Sequence, residues 1–332
     1  MVTRFPPEPS GYLHIGHVKA AMMNYHYARM WEGKMILRFD DTNPMNEKIE
    51  FVDNILNDLK TLEIVPDQVS FSSDYFDQIQ ELAKQLISGG HLYADDTPKE
   101  QMQEERGEGI ESKNRGLSIE ENMKIFEEML GGQNTTHCMR LKLNMQDPNK
   151  CLRDPVLYRS KAEPHHRTGE KYKAYPTYDL ACPVIDALEN VSHALRTIEY
   201  RDRNPLYAWI QKTLNLHKTV IYDFSKLNLK STVLSKRKLR WFVETDRVDG
   251  WNDPRFPTVQ GIMRKGMTVE ALKVFMLEQG PSQNTNMQEW GDIWAKNAKL
   301  LDPVVHRYTA IKKDSAVRLT VENGPDPIQA RP

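Results

Sequence analysis

Residues 6–22 read PPEPSGYLHIGHVKAAM. An apolar run, Met1–Phe5, precedes this stretch and a second, Lys34–Phe39, follows it, with the helix-spaced segment Val18–Trp31 between them. Strand, helix and strand in that order predict a parallel α/β unit, with the quoted residues at its first strand-to-helix turn. Gly16 opens the predicted helix, so His14 and His17, three residues apart, share one face of its first turn. That turn carries unpaired backbone N–H groups and the positive end of the helix dipole, and a glycine there lets a ligand approach the backbone. The corner is suited to phosphate: two imidazoles can donate to phosphoryl oxygens as charge develops on them. A pair of packed histidines gives the same spacing, so the neighbours must decide.

Outward from this corner, Glu47–Glu63 places Ile49, Val52, Ile55, Leu56, Leu59 and Leu62 on a helical stripe, expected to cover the sheet. Ser73–Ser88 repeats the pattern and stops at Gly89–Gly90, where a left-handed cap is expected. From Asp95 the chain changes character. Arg106–Gly116 is polar and punctuated by glycine, a helix is predicted over Ser118–Leu130 and a strand over His137–Leu143. The α/β pattern resumes with Tyr175–Leu188, His193–Tyr200, a helix Asn204–Leu214 and a strand Val220–Leu229. Helices follow over Lys236–Asp246, Thr268–Gln279 and Met287–Leu300, and Val317–Val321 alternates like a strand. The expected organisation is a Rossmann-like parallel-sheet domain in two halves, 1–94 and 175–230, interrupted by an inserted α/β unit, 95–174. A helical subdomain, 231–300, and the start of a further β-rich unit, 301–332, complete it. No internal repeat of fixed period is present.

Composition excludes several classes. Lys plus Arg number 45 against 46 for Asp plus Glu, so bulk charge points to no polyanionic partner and any nucleic-acid surface must be local. The longest apolar runs, near Ile36 and Val184, fall far short of the ~20 residues that cross a bilayer. Three cysteines, Cys138, Cys151 and Cys182, show no CxxC spacing, which argues against a disulfide framework or zinc cluster and for a reducing cytosol. His165–His166 are adjacent, a poor arrangement for holding one ion, and no metal site is expected. The first residues lack the basic start, apolar core and cleavage site of a targeting peptide.

No GxxxxGK[ST] and no GxGxxG occurs, which removes the P-loop and dinucleotide-binding explanations of the phosphate corner. The string LHIGH instead resembles the first signature of class I aminoacyl-tRNA synthetases. TRFPPEPSGYLHIGH followed by LRFDDTNP is similar to their glutamyl and glutaminyl branch in particular. Far downstream, Val233-Leu234-Ser235-Lys236-Arg237 resembles the second signature, the KMSKS loop, with Val and Leu in place of its first Lys and Met. The resemblance covers Thr3 to about Pro303. It implies a Rossmann-like catalytic domain that joins ATP and an amino acid as an aminoacyl adenylate and then transfers the acyl group to the terminal adenosine of a tRNA. No enzyme nucleophile is required, and Mg²⁺ is expected to arrive with ATP, held largely by phosphates and water.

The same resemblance assigns roles. His14, His17 and Lys236 are the implied catalytic residues, Lys236 as the cation for departing pyrophosphate. Glu8, Pro9, Ser10, Gly16, Thr197, Leu227, Leu234 and Ser235 join them around ATP. Arg4, Asp40 and Tyr178 are the implied amino-acid contacts, Asp40 accepting from the α-ammonium, although Asp40 and Asp41 could merely cap the next segment. Arg196 bears on the choice of substrate: glutaminyl relatives carry a small neutral residue there, often Cys. A guanidinium suits the γ-carboxylate of glutamate, whereas the amide of glutamine would turn donors toward donors at about 2–5 kcal/mol. Ala181-Cys182-Pro183 is glutamyl in type as well. The plain alternative has Arg196 on the surface, paired with Glu199.

For the nucleic acid, Arg159, Lys161, Arg167, Lys171 and Lys173, interleaved with Tyr158 and Tyr172, lie within the insertion that grips the acceptor stem in this family. A solvated basic face is the other reading of that run. The tail DPVVHRYTAIKKDSAVRLTV is similar to the start of the anticodon-binding barrels of eukaryotic and archaeal glutamyl members. The expected molecule is thus a catalytic core of a larger cytoplasmic enzyme acting on L-glutamate and tRNA(Glu), without a membrane. Assembly into a multi-synthetase or tRNA-delivery complex would run through segments missing here. A glutaminyl enzyme and a non-catalytic scaffold are the competing readings.

Overall fold

The apolar runs that flank the phosphate corner become strands. A computed structural model describes residues 1–45, 47–310, 312–317, 319–320 and 322–324. Its first half runs β1 (Val2–Phe5), α1 (Ile15–Met30), β2 (Lys34–Phe39), α2 (Ile49–Thr61), β3 (Gln68–Phe71) and α3 (Phe76–Ser88). β1, β2 and β3 form a parallel ladder with β2 in the middle. β4 (Leu92–Asp95), α4 (Lys99–Glu108), α5 (Ile119–Leu130), β5 (Cys138–Leu141), β6 (Val156–Ser160) and β7 (Ala174–Pro176) follow, and their four strands make an antiparallel sheet. The parallel pattern returns with α6 (Tyr178–Leu188), β8 (His193–Thr197), α7 (Asn204–Thr213) and β9 (Val220–Phe224), where β8 pairs with β9. β8 lies beside β1, the Ser192 N–H donating to Val2 O at 3.0 Å. The rest is mainly helical: β10 (Asn228–Leu229), α8 (Lys236–Glu244), α9 (Val259–Arg264), α10 (Val269–Gln279), β11 (Met287–Gln288) and α11 (Trp290–Leu301).

Burial follows from these layers. α1 packs Val18, Ala21, Met22 and Ala28 against β1 and β2 on one side and against α9 and α10 on the other, forming one core. A second core joins Ile79, Ala83 and Leu86 of α3 to Phe126 of α5, to Met139, Leu157 and Tyr158 of the antiparallel sheet and to α6 and α7. That sheet therefore begins at Leu92 and ends at Pro176, outside the 95–174 limits drawn from composition, and it shares its core with the flanking helices.

Other differences have local causes. α1 starts at Ile15 because the His14 side chain caps it. In α2 the buried face is centred on Phe51, Val52, Ile55 and Leu59, which leaves Ile49 and Leu56 exposed. Gly90, at φ 71°, supplies the left-handed turn after α3, while Gly89 stays right-handed. The expected strand Val220–Leu229 is two: Ser225 N–H leaves the ladder to donate to Ser282 O, and Asn228–Leu229 pairs with β11 instead, so Met287–Gln288 is strand rather than helix. Among the described residues after Leu301 there is one 3₁₀ turn, Lys313–Ser315, and no strand; Arg318 and Val321 of the expected alternating segment lie outside the described residues.

Between the two halves of the parallel sheet lies a buried ion-pair network. Arg4 Nε donates to both oxygens of Asp186 at 3.1 Å, Arg38 donates to Asp186 and, at 2.7 Å, to Glu189, and Tyr207 Oη donates to Asp186 at 2.8 Å. Burial alone would raise the Asp186 carboxyl, but Arg4 and Arg38 outweigh it and hold it at about 2. Its unfolded value is about 3.9. A depressed carboxylate contributes stability that is fully present above the unfolded pKa and is lost as pH falls through the folded one. Asp186→Asn is thus expected to cost about 3–5 kcal/mol at neutral pH, by leaving buried arginines under-paired, and to remove stability lost between about pH 4 and 2. Denaturant unfolding of both proteins across that range checks it.

Candidate active site

Chain capping explains where the two histidines point. His14 Nδ1 accepts from Gly16 N–H and His17 Nδ1 accepts from His14 N–H, each at 3.1 Å, so the imidazoles cap α1 reciprocally. Their rings lie 3.7 Å apart. Gly16 is what permits this, since a Cβ there would stand 3.0 Å from the His14 ring. Burial, then Lys236, lowers His14 to about 4; burial, then His14 and Lys236, lowers His17 well below its ordinary value. Both rings are neutral at pH 7, and because Nδ1 accepts, each proton is on Nε2. The corner presents two N–H donors without charge, at a helix start whose dipole favours an anion.

The second signature comes to the same place. Residues 13–15 pair with 257–259, Ile15 N–H donating to Pro257 O and Val259 N–H to Leu13 O, each at 2.9 Å, which docks α9 on the start of α1. Ser235 precedes α8, and Lys236 opens it. Lys236 Nζ donates to Glu8 O at 3.0 Å and Ser10 Oγ at 3.2 Å, while Arg240 donates to Ser10 O at 2.7 Å. Burial lowers the Lys236 ammonium, with Glu8 opposing. Glu8, Ser10, His14, His17 and Lys236 thus surround one corner, although Lys236 and His17 stand 219 positions apart in the chain.

From this corner a cleft of about 550 Å³ runs to the ends of β1, β2 and β8, lined by Arg4, Glu8, His17, Asp40, Tyr178, Arg196, Thr197 and Lys236 among others. Arg196 is only 5% exposed, and its Nε and Nη1 have no hydrogen-bond partner. Three aromatic rings, Tyr178, Tyr200 and Tyr207, stand 5.1–5.8 Å from the guanidinium carbon. Glu199, the alternative partner, pairs instead with Lys226. Cation–π contact offsets part of the desolvation of a buried guanidinium, but an unpaired buried charge still costs several kcal/mol, so the site is built for an anion to fill.

Asp40 faces the same cleft and accepts from Thr42 Oγ1 at 3.0 Å; burial raises it to about 6 against that hydrogen bond. Neither Asp40 nor Asp41 caps α2, whose N-cap is Lys48; the Asp41 carboxylate accepts from Ser73 N–H and Oγ. Arg4 lines the cleft, but its guanidinium is committed to Asp186 and Leu195 O. Leu227 is buried in the core, Leu234 packs against it, and Pro9 O is bonded by Lys48 N–H. Arg38, Asp186, Tyr200 and Tyr207 were not singled out from the sequence. A lone charge inside each longest apolar run, Arg38 in one and Asp186 in the other, was the available signal.

The basic segment does not form one surface. Arg159 lines the cleft with its buried Nε unpartnered. Lys161 contacts Met45, Arg167 bonds Ser73 and Asp74, Lys171 bonds Asp77, and Lys173 bonds Glu170. Tyr158 and Tyr172, which interleave these cations in the sequence, are core residues, 0% and 7% exposed, with Tyr158 edge-on to Phe126 and Tyr172 edge-on to Phe76.

Asp41, His165 and His166 come within metal-ligand range of one another, with Glu47 beside them. His165 is already satisfied: its Nδ1 accepts from Arg167 and Thr168 N–H, so its Nε2–H donates to Asp41 O at 2.7 Å. Adding Nε2 to a metal would remove that donor, which leaves an incomplete ligand set.

The family described as tRNA synthetases class I (E and Q), catalytic domain, matches residues 1–303. The cytoplasmic glutamate–tRNA ligase of Arabidopsis thaliana is 53% identical over 325 residues, covering 97% of this chain and 45% of that protein. The cytoplasmic glutamate–tRNA ligase of Saccharomyces cerevisiae is 53% identical over 328 residues, with shares of 98% and 46%. The bifunctional glutamate/proline–tRNA ligase of Drosophila melanogaster is 52% identical over 323 residues, with shares of 97% and 19%. The chain therefore spans less than half the length of these relatives. The crystal structure of a glutamate tRNA ligase from Elizabethkingia meningosepticum in complex with its amino acid has a similar fold, at a TM-score of 0.66 and 18% identity, covering 92% of this chain and 70% of that one. With the signature residues gathered at one end of a parallel sheet, the chain belongs to the class I tRNA synthetases of the E and Q type and carries their catalytic domain.

Proposed function

We propose that this chain is the catalytic part of a cytoplasmic glutamate–tRNA ligase. A glutamate α-carboxylate oxygen attacks the α-phosphorus of ATP, the bond to the β-phosphate breaks and pyrophosphate leaves. The 2′-hydroxyl of the terminal adenosine of tRNA(Glu) then attacks the activated carbonyl and AMP departs. His14 and His17 donate Nε2–H bonds to the phosphates, Lys236 neutralises pyrophosphate, and Asp40 accepts from the glutamate ammonium. Glu8, Ser10, Gly16 and Thr197 frame the nucleotide. Arg196 carries the choice of amino acid: buried, unpartnered and open to the cleft, it pairs with the γ-carboxylate and leaves glutamine's amide facing donors. The names of the high-identity relatives support the same reading.

Mg²⁺ would arrive with ATP, held largely by phosphates and water, with Glu8 the carboxylate that the corner around His17 and Lys236 could add. Residues 92–176 would receive the acceptor stem, with Arg159 reaching the RNA end in the cleft, and the segment beyond Leu301 would lead into an anticodon-binding barrel. Pyrophosphate exchange with glutamate or glutamine, with and without tRNA(Glu), tests the substrate. Glutamate is expected to exchange at least about a hundredfold faster. Faster exchange with glutamine contradicts the assignment.

The pH dependence follows from Asp40, held up at about 6 by burial. Below that pH it takes up a proton and stops accepting from the ammonium, so the glutamate KM is expected to rise by up to roughly tenfold per pH unit. Asp40→Asn should raise KM throughout and flatten this limb, measured by exchange between pH 5 and 8.

A further inference from the structure

Between β6 and β7 the chain makes a tight turn around one imidazole. His165 and Gly169 exchange backbone hydrogen bonds at 2.8 and 2.9 Å, with Gly169 at φ 58°. The His165 ring, buried among Phe76, Tyr175 and His166, accepts from two N–H groups of its own turn and donates across to Asp41 O at 2.7 Å. Arg167, two residues on, lies 3.7 Å over the Phe71 ring and bonds Ser73 Oγ at 2.5 Å and Asp74 at 2.8 Å. Ser73 in turn donates to both oxygens of Asp41. One turn of the antiparallel unit therefore grips Asp41 twice, directly through its carbonyl and through Ser73 at its carboxylate. Asp41 adjoins Asp40, whose backbone N–H is tied to Pro7 O at 3.0 Å and whose side chain enters the cleft.

We propose that the His165–Arg167 turn is a positioning device for the amino-acid pocket: it fixes Asp40 from the antiparallel unit, so that glutamate binding depends on where that unit sits. It rests on the reading of Asp40 as acceptor for the glutamate ammonium. His165 touches no substrate; it acts through the Asp41 carbonyl.

Steady-state pyrophosphate exchange with L-glutamate and ATP at saturating tRNA(Glu) tests it. His165→Phe keeps the ring's shape without the donor, and the glutamate KM is expected to rise about tenfold, the scale of one lost hydrogen bond, with the ATP KM within about twofold. His165→Gln, whose amide nitrogen can donate to the same carbonyl, is expected to recover most of the loss. In an Asp40→Asn background, His165→Phe should add less than about twofold, since the two act as a unit. Arg167→Met, at an exposed position, should raise the glutamate KM about threefold and carries the test alone should His165→Phe fail to fold. If Asp40→Asn raises the glutamate KM while the folded turn variants leave it unchanged or raise both KM values equally, the positioning role is overturned and the pocket reading stands. If Asp40→Asn itself leaves the glutamate KM unchanged, both fall.

Discussion

Replacing Arg196 with Cys is expected to lower kcat/KM for glutamate by roughly 30- to 5000-fold, the range for removing one partner of a buried charge pair, about 2–5 kcal/mol. Glutamine should lose far less, because its amide no longer faces a guanidinium, so the ratio of the two substrates shifts toward glutamine. The effect should reside in the amino acid and not in ATP, since Arg196 lies at the end of the cleft ringed by Tyr178, Tyr200 and Tyr207. Stability should change little or rise, because the native guanidinium has unpartnered, buried Nε and Nη1 atoms and the variant removes them. Exchange kinetics with both amino acids, alongside a denaturation curve, separate loss of recognition from loss of fold.

Lys236→Ala is expected to slow adenylate formation by about 10²–10³-fold while leaving the glutamate KM within about threefold, because the ammonium acts on charge that grows on the leaving pyrophosphate. Val233 stands where a fuller signature has a second lysine, so in the proposed role Lys236 would carry more of this task alone. Its present partners, Glu8 O and Ser10 Oγ, are neutral acceptors that a polyphosphate outcompetes electrostatically. Lys236→Arg should rescue only in part, since a planar fork replaces a compact charge on a flexible stem. Single-turnover measurement of adenylate formation reads the chemical step apart from product release.

What could be read from the sequence depended on which residues carried periodicity. The strands around the phosphate corner and the helices α2 and α3 declare themselves by buried apolar stripes. α4 buries none of its ten residues, so no stripe marked it, and its end from Arg106 fell within the stretch read as polar and glycine-punctuated. The break between β9 and β10 was equally silent, because Ser225 is a buried polar residue held by Lys19, whose Nζ donates to Ser225 O at 2.7 Å, and Leu227 and Leu229 supply further apolar residues past it. Among site residues, those with a local geometric reason were legible: Gly16 beside His14 and His17 is a capped helix start written in four positions. Arg196 stood out in the sequence as a charge, but its tyrosine cage did not, since Tyr200 comes from the 3₁₀ turn Ile198–Arg203 after β8 and Tyr207 from α7 beyond it. Adjacency misled at Tyr158 and Tyr172, where neighbouring lysines and arginines suggested an RNA contact surface while both rings pack in the core, Tyr158 against Phe126 and Tyr172 against Phe76. The link from His165 to Asp41 joins residues 124 apart and leaves no mark along the chain.

A crystal structure of this chain with a non-hydrolysable glutamyl-adenylate analogue measures most directly whether Arg196, Asp40 and the two imidazoles hold the adenylate. The γ-carboxylate is expected within about 3 Å of Arg196, the ammonium at Asp40 and the phosphate oxygen facing the Nε2 atoms of His14 and His17. An analogue bound with its side chain away from Arg196, or with the phosphate remote from both imidazoles, contradicts this arrangement.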